Sequence, residues 1–249
     1  LEALRREAVG LHLDVLTLDV NDPASVQAAA AAVHELTGGQ GVDALINNAG
    51  YGQMGAVLDV GEADLHAQFE TNVHGLLRVT RALVPAMIRR GRGRVLNVSS
   101  VGGRMVFPMG GVYHATKFAV EALSDALRME LGPLGVDVVV IEPGAIRTQF
   151  GQTAAASLPA PSGSPWAHVY AAAEALIARY EELAPDPSSV VAAMAHAIEA
   201  GRPRPRYVAP WYNHLTLLAS RLLPTRLFDA LFQRAFRLHR LPAAAVEVA

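Results

Sequence analysis

Short apolar runs alternate with longer stretches of helical period along most of this chain, and few folds accept that alternation. Leu13 to Leu18 is an apolar run ending at Asp19; Asp22 and Pro23 then offer an N-cap and a first-turn proline for an Ala-rich helix reaching about Thr37. Val42 to Ile46 predicts a second strand, closed by Asn47-Asn48-Ala49-Gly50, and Glu62 to Arg90 a helix that Gly91 and Gly93 stop. A strand at Arg94 to Val98, a helix from Tyr113 to Leu131 and the nearly all-aliphatic Val136 to Ile141 continue the series. Runs this apolar suit strands buried on both faces. Strands that alternate with helices at this spacing pair in parallel through right-handed crossovers, with helices on both sides. The expected architecture is a doubly wound α/β sheet.

The remainder reads as an addition to that sheet. Residues 151–165, rich in Ala, Ser and Pro, are expected to form a mobile flap, followed by helices at Trp166 to Leu183 and Pro187 to Ala200 and an edge strand at Arg206 to Ala209. From Leu215 to Leu238 apolar residues are interspersed with Arg221, Arg226, Arg234 and Arg237. That pattern fits helices packed around a substrate pocket, a subunit interface or shallow membrane contact; packing is the expectation. With 249 residues, 51% of them hydrophobic, one domain spanning 1–249 can bury a sizeable core, with segments 151–183 and 213–239 as its pocket helices.

The formal charge of -2 gives no global field that would draw nucleic acid or an anionic membrane. Cysteine is absent, which excludes disulfides and thiolate chemistry and accords with a reducing, cytoplasmic setting. The start, Leu1 to Glu7, is charged and carries no signal-like apolar core, and no stretch reaches the ~18 uninterrupted apolar residues of a membrane span. The nine histidines form no metal-ligand grouping, so no metal is expected.

In doubly wound sheets ligands bind beyond the carboxyl ends of the strands, where Asp19, Asn47 to Gly50, Ser100 and Pro143-Gly144 all fall. Tyr113 and Lys117 stand four residues apart, on one face of a helix, so the lysine ammonium can favour ionisation of the phenol. Ser100 lies thirteen residues upstream, and a hydroxyl aimed at the same substrate oxygen can polarise a carbonyl or steady an alkoxide. This trio is suited to carbonyl–alcohol chemistry.

Asn47-Asn48-Ala49-Gly50, Asn72 within Thr71-Asn72-Val73, Asn97-Val98-Ser99-Ser100, Tyr113-x-x-x-Lys117 and Pro143-Gly144-x-x-x-Thr148 resemble, in order and spacing, the motifs of the short-chain dehydrogenase/reductases. The resemblance covers Leu13 to about Phe150, and Ile141 to Thr148 is similar to the branch of 17β-hydroxysteroid and retinol dehydrogenases. It implies a Rossmann-like sheet and an NAD- or NADP-dependent interconversion of an alcohol and a ketone or aldehyde, by a homodimer or homotetramer. It further implies that Tyr113 is the general acid/base, that Lys117 lowers its pKa and binds the nicotinamide ribose, that Ser100 orients the substrate oxygen, and that Asn72 holds a proton relay behind Lys117. Ser99 is the neighbouring alternative to Ser100. Asp19 and Val20 would meet the adenine, Asn47, Ala49 and Gly50 the adenosine ribose, and Pro143, Gly144, Ile146 and Thr148 the nicotinamide. Met105, Val106, Phe107 and Met109, between Ser100 and Tyr113, would give a lipophilic substrate an apolar wall.

The chain departs from the family pattern in one respect. The family's Gly-rich turn, whose amides cradle a pyrophosphate at a helix N-terminus, occurs nowhere in the 249 residues. The first βαβ portion is therefore expected to be missing, which would leave strand edges unpaired, weaken cofactor affinity and remove the residue that chooses between NAD and NADP. A non-catalytic dinucleotide-binding scaffold or an inactive fragment is the alternative reading.

Overall fold

The computed structural model describes residues 10–159 and 163–240. Four parallel strands, β1 (Ala44–Asn47), β2 (Gly93–Val98), β3 (Val136–Pro143) and β4 (Arg206–Ala209), pair in chain order. The helices are α1 (Pro23–Leu36), α2 (Glu62–Phe69), α3 (Leu76–Arg90), α4 (Gly111–Leu131), α5 (Gln149–Ala156), α6 (Ala167–Leu183), α7 (Ser188–Glu199), α8 (Asn213–Leu222) and α9 (Thr225–Ala235).

The register explains the two cores. Leu45, Val95 and Val138 align across the sheet on one face and pack against Val26 of α1, Val79, Val84 and Met87 of α3, and Leu131 of α4. The next residues, Leu96 and Val139, point the other way and meet Val190 and Ala197 of α7. Helices thus cover both faces, as the α/β alternation requires. Because the strands are parallel, Asn47, Val98, Pro143 and Ala209 all end at one edge, and the loops that follow them gather there.

Local chemistry sets the element ends. The Asp22 side chain accepts from the Ala24 N–H with Pro23 in the first turn of α1, and Gly91, in the left-handed region at φ 66, closes α3. The long helix predicted over Glu62 to Arg90 is interrupted by a π-helical turn, Glu70–Gly75, centred on Asn72. Residues 149–156, expected in part as flap, form α5: Thr148 caps it by accepting from the Phe150 N–H, and its alanines favour helix; residues 160–162 of the expected flap lie outside the described residues.

Leu13 to Leu18, predicted as a strand, forms no ladder, and Leu13, Leu16 and Leu18 are exposed. An extended segment becomes a strand only by exchanging hydrogen bonds with a neighbour, and among the described residues the outer edge of β1 has no partner. Helix α7 packs on β2, β3 and β4, and Ile46 of β1, on that face, remains 40% exposed.

Gly135 tests the backbone constraints. It sits at φ +80, and a Cβ there would collide with the Gly91 carbonyl oxygen, joining the turn before β3 to the turn before β2. Gly135→Ala is expected to cost about 2 kcal/mol or more, read as a lower urea midpoint with unchanged m-value, whereas Gly132→Ala, whose Cβ meets nothing within 4 Å, should be neutral or stabilising.

Candidate active site

Tyr113 lies in the first turn of α4 and Lys117 one turn further on, both buried. The Lys117 ammonium is 5.8 Å from the Tyr113 ring centroid and donates to the Val98 carbonyl at 2.8 Å, at the end of β2. Asn72 is 1% exposed: its Nδ2 donates to the Tyr51 carbonyl and to Thr116 Oγ1, both at 3.0 Å, and its Oδ1 accepts from the Tyr51 N–H at 3.1 Å. Thr116 in turn donates to the Tyr113 carbonyl at 2.7 Å. Ser100 Oγ accepts from the Gly102 N–H at 3.0 Å, reaches the Pro143 carbonyl at 3.4 Å and stands beside the Tyr113 phenol. Ser99 instead turns away, its buried hydroxyl lying against Gly103 with Glu121. Asn72, Ser100, Tyr113 and Lys117 thus converge at the carboxyl edge of the sheet.

Burial dominates the electrostatics. The Tyr113 ring is enclosed by Met54, Ala154 and Leu158, with the Phe150 ring 5.4 Å away, and this desolvation pushes its pKa up to about 12 although Ser100 acts against the shift. Burial likewise brings Lys117 down to about 8, opposed by the nearby Glu121. The resemblance implies a phenol acidified by Lys117; here the desolvation of the phenol outweighs an ammonium that is bonded to Val98. His114 is also buried and driven down to about 4, so it is neutral at pH 7, with Nδ1 2.9 Å from the Gly102 carbonyl.

The residues expected to meet a dinucleotide divide into two groups. Near the tyrosine, Gly50 lies so close to Asn72 and Lys117 that a Cβ would come 2.9 Å from Asn72 Oδ1 and 3.8 Å from Lys117 Nζ, and at Gly144 a Cβ would strike the Asn213 amide. At both glycines the space a Cβ would take is filled by the protein's own side chains; Gly50, with the exposed Ala49 before it, lies against the Asn72–Lys117 pair, and Pro143 stands beside Ser100. Thr148 spends its hydroxyl on the α5 cap, and Ile146 packs against the core cluster of Leu96 and Ile141. The Asn47 side chain points inward, donating to Thr80 and Asn97 at 2.9 Å each, so only its backbone is free to face a ribose. Asp19 is exposed and accepts from the Asn21 N–H, while Val20 packs on the α3 side of the core; neither joins the tyrosine cluster.

A buried charge network behind the site escaped the sequence reading. Glu142 is fully buried at the end of β3, held by Arg104 at 2.9 Å and Arg206 at 3.1 Å; Arg206 also binds Glu121 at 3.1 Å and Asp125 at 2.6 Å. The signals were present: a carboxylate, Glu142, directly after the unbroken aliphatic run Val138 to Ile141, and Glu121 four residues after Lys117. The network links the Ser100 turn, β3, α4 and β4. Among the described residues no group of acidic and histidine side chains is arranged to hold a metal.

Comparison with known proteins agrees with this geometry. The family model described as short chain dehydrogenase matches residues 1–159. Over 216 residues the chain is 36% identical to an uncharacterized oxidoreductase of Escherichia coli strain K12, covering 87% of this chain and 76% of that protein. It is 36% identical over 235 residues to retinol dehydrogenase 16 of Rattus norvegicus, covering 89% and 73%. A short-chain dehydrogenase/reductase from Burkholderia phymatum, solved in complex with NAD, superposes with a TM-score of 0.75 at 25% identity, covering 93% of this chain and 80% of that one. The chain belongs to the short-chain dehydrogenase family, an oxidoreductase family whose members bind nicotinamide dinucleotides.

The opposing shifts of Lys117 and Tyr113 set a pH dependence. An amine whose folded pKa is about 8 against an ordinary 10.5 destabilises the fold fully below pH 8, and that cost fades as pH rises toward 10.5. Tyr113, raised from 10 to about 12, takes stability away only above pH 10. Between pH 8 and 10 the chain should therefore gain on the order of 2 kcal/mol relative to Lys117→Met, measured by urea unfolding at each pH.

Proposed function

We propose that the chain is an NAD(P)-dependent oxidoreductase that interconverts an alcohol and a ketone or aldehyde on a lipophilic substrate. The observation that carries this reading is the juxtaposition of Ser100 and Tyr113 at one spot, with Lys117 and Asn72 behind the tyrosine. A bound nicotinamide would supply or accept the hydride. In the reducing direction Tyr113, whose burial keeps its proton in place at neutral pH, donates that proton to the oxygen as negative charge develops on it. Ser100 hydrogen-bonds the same oxygen and orients it. Once the proton has left, the Lys117 ammonium stabilises the phenolate, and Asn72 holds Tyr51 and Thr116 so that Lys117 keeps its position. Pro143, Gly144, Ile146 and Thr148 would face the nicotinamide, Asn47, Ala49 and Gly50 the adenosine ribose, and Asp19 and Val20 the adenine.

Apolar surroundings support the lipophilic class. Phe107 packs edge-on to the His114 ring at 4.2 Å, and Met109 is buried with Ala56, Val169, Tyr170 and Phe236. The printed name of the rat relative, a retinol dehydrogenase, is consistent with such a substrate. Phe118 and Met129 stand exposed on α4 and fit self-association; sedimentation velocity that finds only monomer at micromolar concentration removes the proposed homo-oligomer.

Tyr113→Phe is expected to reduce turnover by about 10²-fold or more while leaving nucleotide affinity within about twofold, measured by NADH and NADPH fluorescence titration alongside a carbonyl-substrate screen. Retained turnover would remove Tyr113 from the proton transfer. A folded chain that binds neither nucleotide favours the inactive-fragment reading.

A further inference from the structure

The C-terminal helices carry an exposed surface that neither the sheet nor the tyrosine site uses. Trp211, just ahead of α8, and Leu215, Leu218 and Leu222 recur at intervals of four, three and four residues, which places them on one helix face. That face is turned to solvent: the four are 72%, 60%, 52% and 73% exposed, while the opposite face of α8 buries Asn213 and Leu217. Leu227 and Leu231, one turn apart on α9, are exposed as well, and α9 has no fully buried residue. Single exposed leucines are ordinary, but two consecutive helices with outward apolar stripes are not.

Charge distinguishes this surface from a generic apolar patch. Between residues 211 and 240 the chain has five arginines and a single acidic residue, Asp229, a net +4; the remainder then carries -6 of the total of -2. Arg221 neighbours the α8 stripe, and Arg226 and Arg234 flank Leu227 and Leu231; all three are exposed. None of them forms an ion pair among the described residues, which is equally true of the exposed Arg81, Arg89, Arg92, Arg202 and Arg204; what sets this surface apart is the concentration of positive charge beside the apolar stripes. At the head of the stripe Trp211 and Tyr212 are exposed side by side, the two residue types that favour the boundary between lipid and water.

We infer that α8 and α9 form a peripheral docking surface for an anionic lipid bilayer, with Trp211, Leu215, Leu218, Leu222, Leu227 and Leu231 entering the headgroup boundary and Arg221, Arg226 and Arg234 contacting acidic headgroups. This is monotopic contact; no helix among the described residues is long and apolar enough to cross a membrane. The position has a use if the proposed lipophilic substrate is correct. Helix α9 turns Phe232 and Phe236 inward against Phe107 and Met109, so lipid outside the helix lies about one helix diameter, ~10 Å, from the apolar wall. The docking claim itself does not depend on that substrate.

Co-sedimentation of the full chain with phosphatidylcholine vesicles, with and without roughly one-third phosphatidylglycerol, tests it without any catalytic readout. Binding should be at least about tenfold stronger to the anionic vesicles and should fall steeply toward about 0.5 M salt. Combined Arg221→Glu and Arg226→Glu should weaken it by about tenfold or more, and Leu218→Glu with Leu222→Glu should abolish it; circular dichroism establishes that both variants are folded. Equal binding to neutral and anionic vesicles, or none to either by the folded chain, would overturn the inference. So would a dimer in sedimentation velocity that Leu222→Glu dissociates, since it would assign the face to a second copy of the chain.

Discussion

The Asn72 amide is the interaction on which the site depends. In a regular α-helix each backbone N–H is engaged four residues back and side chains project at a fixed pitch; the π turn Glu70–Gly75 widens the helix locally and carries Asn72 inward. There its amide closes both backbone groups of Tyr51, beyond β1, and reaches Thr116 on α4. One side chain thereby fixes the distance between the loop after β1 and the helix bearing Tyr113 and Lys117. Loss of the Asn72 amide would leave the half-buried Tyr51 N–H without its partner, at about 1–3 kcal/mol, whereas the Tyr51 carbonyl would keep the Gln68 Nε2 donor at 2.8 Å; an amide, donor and acceptor in one, suits the point where these elements meet.

Behind that point the protein stores charge rather than apolar bulk. Glu142, Glu121, Arg104 and Arg206 form a mutually paired group under the Ser100 turn, and Lys117 stands one helical turn from Glu121. Removing Arg206 would leave Glu121 without its cation and the fully buried Glu142 with Arg104 alone, a larger penalty than the net worth of any single pair. The group therefore acts as a brace whose members constrain one another, holding Ser100, the end of β3 and the start of β4 in one relative orientation.

Much of this was legible in the residues. The aliphatic run of β3, the Asp22–Pro23 start of α1 and the Gly91 stop of α3 act locally, through propensity, capping and left-handed geometry, and they appear where the pattern places them. Ser100, Tyr113 and Lys117 could be read because strand ends and helix spacing determine their approach. Interactions between distant elements were not legible. Nothing in the run Leu13–Leu18 reveals that it stays unpaired although β1 keeps an open outer edge among the described residues, and nothing in Asn47 announces that its amide faces Asn97 and Thr80 instead of the crevice. The same holds for pKa: i,i+4 spacing brings Lys117 toward Tyr113, but the apolar cover of Met54, Ala154 and Leu158 comes from elsewhere in the chain and prevails.

The strand register has a consequence for how the molecule assembles. Ala44 pairs with Arg94, Gly93 with Val136 and Val140 with Arg206, so each ladder joins residues 43 to 66 positions apart, and among the described residues the sheet contains no hairpin. No strand pair can form as a local event; a crossover must be closed before its first interstrand hydrogen bond is gained. Helix α4, 21 residues long and carrying Tyr113 and Lys117, is held by i to i−4 hydrogen bonds that need no such closure. The chemistry-bearing helix is thus the locally determined part of the site, while every strand of the crevice around it depends on a long crossover.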